Sequence, residues 1–453
     1  MPEKFRRFGI PALIGFALLL PLLFASPVSK ARFHLGLPRV YSGDEVHYLV
    51  TINSVIRDRD LDLSNNYAAV HAGADQAGND SRGRALDHHT VWFVDGVRTN
   101  WWQNYETERS RWDRDAEGRP VPRLREGKSP IPPGRHEYST HPPGLALLLA
   151  PLLFAFRNTP YVEPLAICCS AVAVIAAMLM FCALARKYNP DLRAVHFAAL
   201  VAILGTPAWH YARTLFAEPY LLLFAIGAYS IALRGKSPLL AGLFIGLGLM
   251  VKPPFALLIV PLCLMYLAAR NLVAAALLTA PVAVSLTAYL LLNDFMFGSP
   301  LTVAQPWLPG SFVVGALGSL FSGKYGVVIV APAILAAFAA WPQFFRAYPR
   351  DAIVLASGIL LHFSLYASYR HWAGAICYGP RYVVPLLPLI FVPLVNLPDT
   401  RVWRHRWARY GVVAICALSV AMNGIAAMAY WAYWDTNPVR IVVQKIFGIT
   451  LGG

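Results

Sequence analysis

Tyr41-Ser42-Gly43-Asp44-Glu45-Val46-His47-Tyr48 is the stretch around which the chain is organised, because it lies a short way beyond the first apolar run, early in a long polar segment. It contains two adjacent carboxylates, Asp44 and Glu45. A carboxylate held at the rim of a helix bundle can act as a general base, and a second acid beside it can orient or stabilise a reacting group. An ordinary solvated loop is the competing interpretation of the same residues.

The composition is typical of a chain that crosses a membrane many times. Hydrophobic residues make up 57% of the 453 residues, and charged residues make up only 14%. Lipid-exposed backbone must satisfy its hydrogen bonds within helices, and roughly a dozen spans of about 20 residues fit this length. The net charge of +15 is then explained by cytoplasmic anchoring and by attraction to anionic lipid or phosphate. Membrane lipid is therefore an expected partner, and nucleic acid is not.

The first apolar run lies at about residues 9–27, after Lys4, Arg6 and Arg7. A secretory signal peptide has a similar pattern, but we interpret residues 1–27 as a retained transmembrane helix with a cytoplasmic N-terminus. The cysteines show no metal-ligand spacing and lie mostly inside apolar runs, which is typical of small packing residues; they are Cys168, Cys169, Cys182, Cys263, Cys377 and Cys416.

Residues 28–143 form a long polar segment that we expect to lie outside the cytoplasm. Segments of this length are usually functional or disordered. Four tryptophans in this segment suit the apolar face of a sugar ring, and a small core of the loop itself or an interfacial belt is the competing interpretation: Trp92, Trp101, Trp102 and Trp112.

The later apolar runs complete the predicted topology. Residues 144–156 are too short to cross comfortably, and a re-entrant or juxtamembrane position for them keeps Arg186 and Lys187 in the cytoplasm. The sequence predicts an all-α polytopic membrane protein with about 11 transmembrane helices, a large first outer loop, a bundle over 144–434 and an external C-terminal tail at 435–453. After the first span, the predicted spans are about 161–185, 194–209, 216–233, 238–251, 254–269, 271–292, 326–345, 351–369, 382–397 and 410–434.

Several polar residues fall on the predicted outer face. His141 precedes two prolines at a helix start, where free amides attract an anion. Arg213 lies between two spans, and Glu218 opens the next helix, where the helix dipole alone also accounts for an acid. Lys252 stands beside two prolines at a span boundary, and snorkelling to the membrane surface is its alternative interpretation.

Two further stretches extend this group. Lys324 lies in a glycine-flanked turn, and Tyr378 and Tyr382 flank Arg381, whose guanidinium can form a paired hydrogen-bond fork with phosphate. An unpaired charge beside an apolar helix is energetically unfavourable. Because these residues share one face of the predicted topology, they indicate an outward-facing anion site. The sequence has no glycine-rich phosphate loop, so a nucleotide site is not expected.

The order of these motifs resembles the polyprenyl-phosphate-sugar glycosyltransferases of the GT-C superfamily. Within it, the bacterial branch similar to protein mannosyltransferases and lipid A aminoarabinose transferases fits best. The resemblance covers nearly the whole chain, and residues 70–135 match least. It rests on Gly43-Asp44-Glu45-x-His47-Tyr48, His141-Pro142-Pro143-Gly144, Glu218-Pro219, Lys252-Pro253, Phe297-Gly298-Ser299-Pro300 and Gly379-Pro380-Arg381-Tyr382.

The resemblance implies inverting transfer of a sugar from a polyprenyl-phosphate donor to an envelope glycolipid, polysaccharide or protein. The reaction would take place on the outer face of a membrane, here the bacterial inner membrane. Asp44 matches the family's base, Glu45 matches its companion acid, and His141 matches the segment lining the lipid-phosphate pocket. The remaining expectations are that Lys252, Arg381, Arg213 and Lys324 bind the donor phosphate, and that the substrate is lined by His47, Tyr48, Glu218, Tyr378 and Tyr382.

A metal is not required by this chemistry, because a polyprenyl phosphate is already a good leaving group. Some members of the superfamily do use a divalent metal, and Asp44, Glu45 and His47 leave that question open.

Two other functions fit a basic polytopic chain. A transporter or lipid flippase favours charged or broken helices at mid-membrane, often in two related halves, whereas this chain has its polar residues at the outer rim. A non-catalytic scaffold for envelope synthesis is the third possibility, and the presence of both Asp44 and Glu45 argues against it.

Overall fold

The structure of the protein, a computed structural model, describes residues 3–25, 34–35, 37–40, 43–71, 89–94, 97–100, 112–114, 120–122, 136–303, 307–374 and 377–429. The predicted C-terminal tail at 435–453 lies outside the described residues. So do Tyr41, Ser42, Trp101, Trp102 and the side chains of Trp92 and Trp112, so both interpretations of the four tryptophans stay predictions.

Most of the described residues are helical. Shorter 3₁₀ or π-helical turns extend several helices, at Leu20–Leu23, Ser54–Asp58, Phe154–Phe156, Pro253–Leu258, Arg381–Leu386 and Val392–Asp399. The α-helices are α1 (Glu3–Leu19), α2 (Asp44–Asn53), α3 (Ser64–His71), α4 (Gly144–Leu153), α5 (Val162–Tyr188), α6 (Leu192–Leu204), α7 (Ala208–Tyr211), α8 (Glu218–Leu233), α9 (Pro238–Val251), α10 (Ile259–Ala268), α11 (Leu272–Phe297), α12 (Phe312–Phe321), α13 (Val327–Val330), α14 (Ile334–Ala347), α15 (Pro349–Ala367), α16 (Leu387–Phe391), α17 (Arg401–Arg404) and α18 (Arg406–Ala429).

Short strands accompany the helices in the first part of the chain. They are β1 (Phe24–Ala25), β2 (His34–Leu35), β3 (Thr90–Val94), β4 (Val97–Asn100), β5 (Trp112–Arg114), β6 (Pro120–Pro122) and β7 (Tyr138–Ser139). Strand β3 pairs antiparallel with both β4 and β7, while β1 pairs with β2 and β5 with β6. The predicted helical fold is confirmed, and the hydropathy pattern did not predict these strands.

Five of the described helical segments are long and apolar enough to cross a membrane: Val162–Tyr188, Leu272–Phe297, Pro349–Ala367, Arg381–Asp399 and Arg406–Met428. Each corresponds to one of the predicted spans. The other apolar helices in the described part of the chain have 10–17 residues, which is short for a span of about 20. The total of 11 crossings therefore stays a prediction.

The chain divides into two compact units. The bundle unit comprises Met1–Pro38, Cys168–Ser285 and Trp307–Gly453, and the loop unit comprises Arg39–Ile167 and Leu286–Pro306. The predicted catalytic acids belong to the loop unit, whereas the predicted phosphate-binding residues other than His141 belong to the bundle unit.

In the bundle unit, glycines on α9 allow a close approach of α11. A Cβ atom added to Gly242 would lie 2.1 Å from the carbonyl oxygen of Leu278, and one added to Gly246 would lie 2.5 Å from Oγ of Ser285. Small residues spaced four apart are a common means of bringing apolar helices together. This packing fixes α9, which ends immediately before Lys252.

In the loop unit, α2 is a buried helix. Every residue from Glu45 to Asn53 is buried. Nearby in the same unit, Val91, Met296 and Phe297 form a small apolar core. Because burial of this extent requires a packed environment, the interpretation of the Asp44 stretch as an ordinary solvated loop is wrong.

Candidate active site

Asp44 and Glu45 occupy the first turn of α2, directly after Gly43. Gly43 has φ 61° and ψ −144°, a conformation that residues with a side chain rarely adopt, so the glycine allows the sharp entry into the helix. The first turn of a helix carries the positive end of the helix dipole, which stabilises a carboxylate. The helix therefore begins on the two acids that the sequence singled out.

Asp44 lies beside two histidines from distant parts of the sequence. Its Oδ1 atom is 3.7 Å from Nε2 of His141, and the two side chains are only 16% and 14% exposed. One ligand atom from each of Asp44, His89 and His141 lies within 4.8 Å of the other two. Asp44 thus lies close to both histidines, and its side chain is not fully buried.

Aromatic rings form a connected layer in this part of the loop unit. His47 stacks on His89 with ring centroids 3.7 Å apart, and His89 lies 5.9 Å from His141. Tyr48 contacts His141 with centroids 5.0 Å apart. The Nδ1 atom of His47 is hydrogen-bonded to the hydroxyl of Tyr67 at 2.7 Å, which holds the His47 ring in place. His47 and Tyr48, both predicted to line the substrate, therefore lie in the same cluster as His141.

Backbone hydrogen bonds bring His89 and His141 together. The amide and the hydroxyl of Thr140 both donate to the carbonyl oxygen of His89, at 2.8 and 3.0 Å. The amide of His141 donates to Oγ of Ser139 at 3.0 Å. Because Thr140 and His89 are 51 positions apart, no local sequence pattern predicts this arrangement.

Asp44, His89 and His141 also form a possible set of metal ligands. Carboxylate oxygens and imidazole nitrogens bind zinc and related divalent metals, and catalytic sites often use three protein ligands with one position left for substrate. The sequence left a metal open on Asp44, Glu45 and His47. The structure instead groups Asp44 with the two histidines from outside α2.

Glu45 has different surroundings from Asp44. Consecutive residues on an α-helix point about 100° apart and do not face each other. Glu45 is only 1% exposed, whereas the Asp44 side chain is 16% exposed. The helix thus gives Asp44 the more accessible position, and Glu45 lies in the interior of the loop unit.

A second carboxylate, Asp62, ties the strand before His141 to the rest of the loop unit. The amides of Glu137 and Ser64 donate to Oδ1 of Asp62 at 3.0 and 3.1 Å, and the His136 ring contacts Oδ2 at 2.7 Å. Burial raises the pKa of Asp62, but these hydrogen bonds outweigh it and hold the pKa below its ordinary value of 3.8. Glu137 also accepts a hydrogen bond from the Thr90 hydroxyl, next to His89.

Replacement of Asp62 with Asn is expected to weaken the hydrogen bonds to its charged carboxylate. At pH 7 this lowers the free energy of unfolding by about 1 kcal/mol, and with it the melting temperature. Because the folded-state pKa is lower than the unfolded one, this stabilisation is complete above about pH 3.8 and is lost as the pH falls through the folded-state value. Thermal unfolding of the purified protein between pH 7 and pH 2 measures it. Replacement of the exposed Asp294 with Asn is the control, and equal melting temperatures of wild type and Asp62→Asn at pH 7 would contradict the prediction.

In the bundle unit, Glu218 binds two of the four cations that we predicted to contact phosphate, Lys252 and Arg381. Its Oε1 atom accepts hydrogen bonds from Nζ of Lys252 at 2.6 Å and from Nε of Arg381 at 2.8 Å. The Glu218 side chain is fully buried, while those of Lys252 and Arg381 are 16% and 6% exposed. Two cations and one anion leave this cluster with a formal charge of +1. Oε2 of Glu218 is buried and has no hydrogen-bond partner among the described residues.

Aromatic rings surround this charged cluster. The Arg381 guanidinium lies 4.6 Å from the centre of the Phe216 ring, and the Lys252 ammonium lies 5.1 Å from the centre of the Tyr382 ring. Tyr382 in turn stacks on Tyr366 with centroids 4.2 Å apart. Cations over aromatic faces are stabilised by the ring quadrupole, so the rings hold both cations in place.

The other predicted residues of the bundle unit have different surroundings. Arg213 donates from Nη1 to the carbonyl oxygen of Ala427 at 2.8 Å, where a cation favourably meets the C-terminal end of α18. Tyr378 is buried, and its hydroxyl donates to Oδ1 of Asn423 at 3.2 Å. Lys324 lies in the turn after α12 with its ammonium 5.1 Å from the centre of the Tyr325 ring.

Sequence reasoning missed His89 and Tyr67, which both contact the Asp44 helix or its partners. The pair His88-His89, directly before the β-branched and aromatic run of β3, was the available signal. It lies in the part of the chain that matched least with the family, and a lone histidine in a polar loop is not distinctive. Tyr67 lies on α3, where nothing in the local pattern distinguishes it from a packing residue.

Comparison with known proteins identifies the fold. No family model matches the chain, and no curated protein matches its sequence. Among solved structures, it is similar to ArnT from Cupriavidus metallidurans in the apo state, with a TM-score of 0.53 and 13% identity. It is also similar to ArnT from the same organism bound to undecaprenyl phosphate, with a TM-score of 0.54 and 13% identity.

These matches cover 92% and 98% of this chain, which spans 64% and 73% of the two ArnT chains. The archaeal oligosaccharyltransferase AglB from Archaeoglobus fulgidus, in complex with an inhibitory peptide and a dolichol-phosphate, matches with a TM-score of 0.47 and 13% identity over 94% of this chain and 55% of AglB. The two ArnT matches show that the protein has the ArnT fold.

Proposed function

We propose that the protein is an inverting glycosyltransferase that moves a sugar from a polyprenyl-phosphate donor to an acceptor of the cell envelope. The observation that carries the proposal is the position of Asp44, at the start of a buried helix and 3.7 Å from His141, in a chain with the ArnT fold. The fold supports the class of enzyme, and the accessible carboxylate supplies a group that can perform the reaction.

In the proposed reaction, Asp44 is the general base. Its carboxylate takes the proton from an acceptor hydroxyl as the hydroxyl oxygen attacks the anomeric carbon of the sugar. The bond between that carbon and the phosphate oxygen breaks, and the electron pair leaves with the polyprenyl phosphate. Attack from the face opposite the leaving group inverts the configuration. His141 lies beside Asp44 and orients its carboxylate, and Glu45 supports the start of the helix from the interior.

Lys252 and Arg381 are the proposed phosphate-binding groups. Negative charge grows on the leaving phosphate as the bond breaks, and preorganised cations stabilise such charge. Glu218 fixes both cations but cancels only one of their charges, so a charge of +1 remains for the phosphate. The buried Oε2 atom of Glu218 can accept a hydrogen bond from a hydroxyl group of the sugar substrate. ArnT was solved with undecaprenyl phosphate bound, and a lipid phosphate of this class is the proposed donor carrier here.

Arg213 and Lys324 are weaker candidates for the phosphate. The described contact of Arg213 stabilises the end of α18, and we assign it that role. His47, Tyr48, Tyr378 and Tyr382 remain proposed substrate-lining residues. For Tyr382, the cation and ring contacts with the phosphate-binding cluster support the assignment.

A divalent metal held by Asp44, His89 and His141 is the second possibility for this site, favoured by the short distances among their ligand atoms. In that case the three side chains bind the cation, which would supply positive charge for the leaving phosphate, and Asp44 is no longer available as a base. We propose the metal-free reaction, since a polyprenyl phosphate does not need further activation to leave.

The active site is proposed to face the periplasm or exterior of a bacterial inner membrane. Cysteine labelling with a membrane-impermeant maleimide tests this orientation, in a variant whose six native cysteines are replaced. Cysteines placed at Ser81 and Gly453 are expected to react in intact cells, because positive residues remain inside. A cysteine at Ser237, beside Lys236, is expected to react only after the cells are opened. Labelling at position 237 in intact cells would overturn the topology.

The glycosyltransferase and the alternative, a transporter or lipid flippase, differ in their product. Purified protein in vesicles, supplied with labelled polyprenyl-phosphate sugar and an envelope extract, is expected to form a labelled acceptor and free polyprenyl phosphate. A flippase would move the intact donor between leaflets without breaking its glycosidic bond. Mass spectrometry of envelope glycans from a deletion strain would then identify the sugar and the acceptor from the missing residue.

A further inference from the structure

Four cations line one open cavity in the bundle unit, away from the residues assigned above. The cavity has a volume of about 490 Å³ and is lined by Ala183, Arg186, Lys187, Arg234 and Lys236. Arg186 and Lys187 end α5, while Arg234 and Lys236 lie in the turn between α8 and α9. Every charged residue that lines the cavity is therefore positive.

Lys187 is fixed in this arrangement. Its ammonium donates to the carbonyl oxygen of Leu233 at 2.6 Å and forms an ion pair with Asp351, which also accepts a hydrogen bond from Tyr188 at 2.8 Å. Asp351 compensates one of the four charges. This tether holds the end of α5 against the end of α8.

The other three cations are not neutralised in the described part of the chain. Arg186, Arg234 and Lys236 form no ion pair within 4.0 Å with any described acid. Like charges gathered around one cavity repel one another, and a bound anion relieves that repulsion. Residues that only fix membrane orientation need no common cavity, so the clustering itself points to a ligand.

Apolar side chains continue from the cavity along α5 and α9. On α5, Val172 and Leu179 are 61% and 53% exposed, and their spacing places them on the same helix face as Ala183 and Arg186. On α9, Leu239 and Leu240 are 49% and 43% exposed. A ligand that fills this surface has a negative head for the cavity and apolar chains for the exposed helix faces.

We propose that this cavity binds the phosphate of an anionic phospholipid, with the acyl chains lying along the exposed faces of α5 and α9. Basic pockets at the ends of membrane helices bind acidic lipid headgroups in this way. In the orientation proposed above the cavity faces the cytoplasm, where juxtamembrane basic residues meet the anionic inner surface of the membrane. The proposal is independent of the transfer reaction, because it concerns different residues.

Native mass spectrometry of the purified full-length protein tests this site. The protein is titrated separately with dioleoyl phosphatidylglycerol, with dioleoyl phosphatidylcholine and with inorganic phosphate. One variant carries Arg186→Gln and Arg234→Gln. A matched control carries Arg404→Gln and Arg409→Gln, which remove the same charge from exposed positions outside the cavity. A third variant, with Arg186→Lys and Arg234→Lys, keeps the charge.

Wild type is expected to retain phosphatidylglycerol in preference to phosphatidylcholine. The Gln variant of the cavity is expected to need at least about tenfold more phosphatidylglycerol for half occupancy, given the contribution of each basic residue near a lipid surface. The Arg404/Arg409 control should stay within about twofold of wild type because neither residue lines the cavity, and the Lys variant because it keeps the charge that attracts the lipid phosphate. Unchanged melting temperatures would show that all variants are folded.

Three results would overturn the proposal. Equal retention of the two lipids would remove the preference for an anionic head. An equal loss in the Arg404/Arg409 control would indicate general surface attraction. Binding of inorganic phosphate at the same concentrations as phosphatidylglycerol would make the cavity a site for a free anion, without a role for the apolar helix faces.

Discussion

Replacement of Asp44 with Asn is expected to lower the rate of sugar transfer by about 100-fold or more, the usual contribution of a positioned general base. Asn keeps the size of the side chain and most of its hydrogen-bonding capacity, so the first turn of α2 and the contact with His141 should remain. It cannot take the proton of the acceptor hydroxyl. Transfer of labelled sugar from a purified polyprenyl-phosphate donor, with donor binding measured on the same preparation, is the test.

Glu45→Gln is the matched control for this prediction. Glu45 is adjacent in sequence but buried, so its replacement should affect turnover less than Asp44→Asn. Wild-type turnover in Asp44→Asn would remove the central claim. Loss of donor binding in the same variant would make Asp44 a residue that positions the ligand.

Chelation separates a base from a metal ligand. For a metal-free base, treatment with EDTA followed by its removal leaves the wild-type rate unchanged. If Asp44, His89 and His141 hold a cation, the treatment abolishes transfer, and a divalent metal restores it. The His89→Gln variant would then require higher metal concentrations to reach the same rate. If His89 only packs against His47, the metal requirement of the variant would not change.

Replacement of Arg381 with Gln is expected to reduce turnover by about 100- to 1000-fold, the loss found when a group stabilising developing negative charge is removed. The change lowers the formal charge of the Glu218 cluster from +1 to 0. Donor affinity should also fall, because the phosphate is charged before the reaction. Rates of labelled transfer and equilibrium binding of the donor give the two effects separately.

A structural role for Arg381 must be distinguished from this one, because removal of one partner of a buried ion pair destabilises a protein by about 3–5 kcal/mol. The melting temperature of Arg381→Gln, measured beside its transfer rate, separates the two roles. If Arg381 binds phosphate, transfer stays low at temperatures well below the melting temperature of the variant, where it is folded. Wild-type transfer by the folded variant would make Arg381 a structural partner of Glu218 only.

The helices of the bundle were largely predictable from the sequence. The apolar run predicted at 161–185 became the helix Val162–Tyr188, and that predicted at 216–233 became Glu218–Leu233. Membrane helices satisfy their own backbone hydrogen bonds, so hydropathy over about 20 residues is enough to locate them. A short window of sequence sufficed here because the hydrogen bonds of a helix join residues that are close together in the chain.

The charged cluster was only partly predictable. Glu218, Lys252 and Arg381 were each recognised as polar residues beside apolar helices, but Glu218 was expected to line the substrate. The structure places it between the two cations, which lie 34 and 163 positions away along the chain. Ion pairing over such separations depends on how the helices pack, and a single sequence does not contain that information.

The sequence by itself determined that this chain forms apolar helices and that Asp44 and Glu45 follow the first of them in a long polar segment. Only the tertiary structure decided that Asp44 opens a buried helix and meets His89 and His141. The difference has a physical cause: hydropathy and helix formation act between neighbours, whereas the histidine cluster depends on hydrogen bonds between Thr140 and His89, which are 51 positions apart.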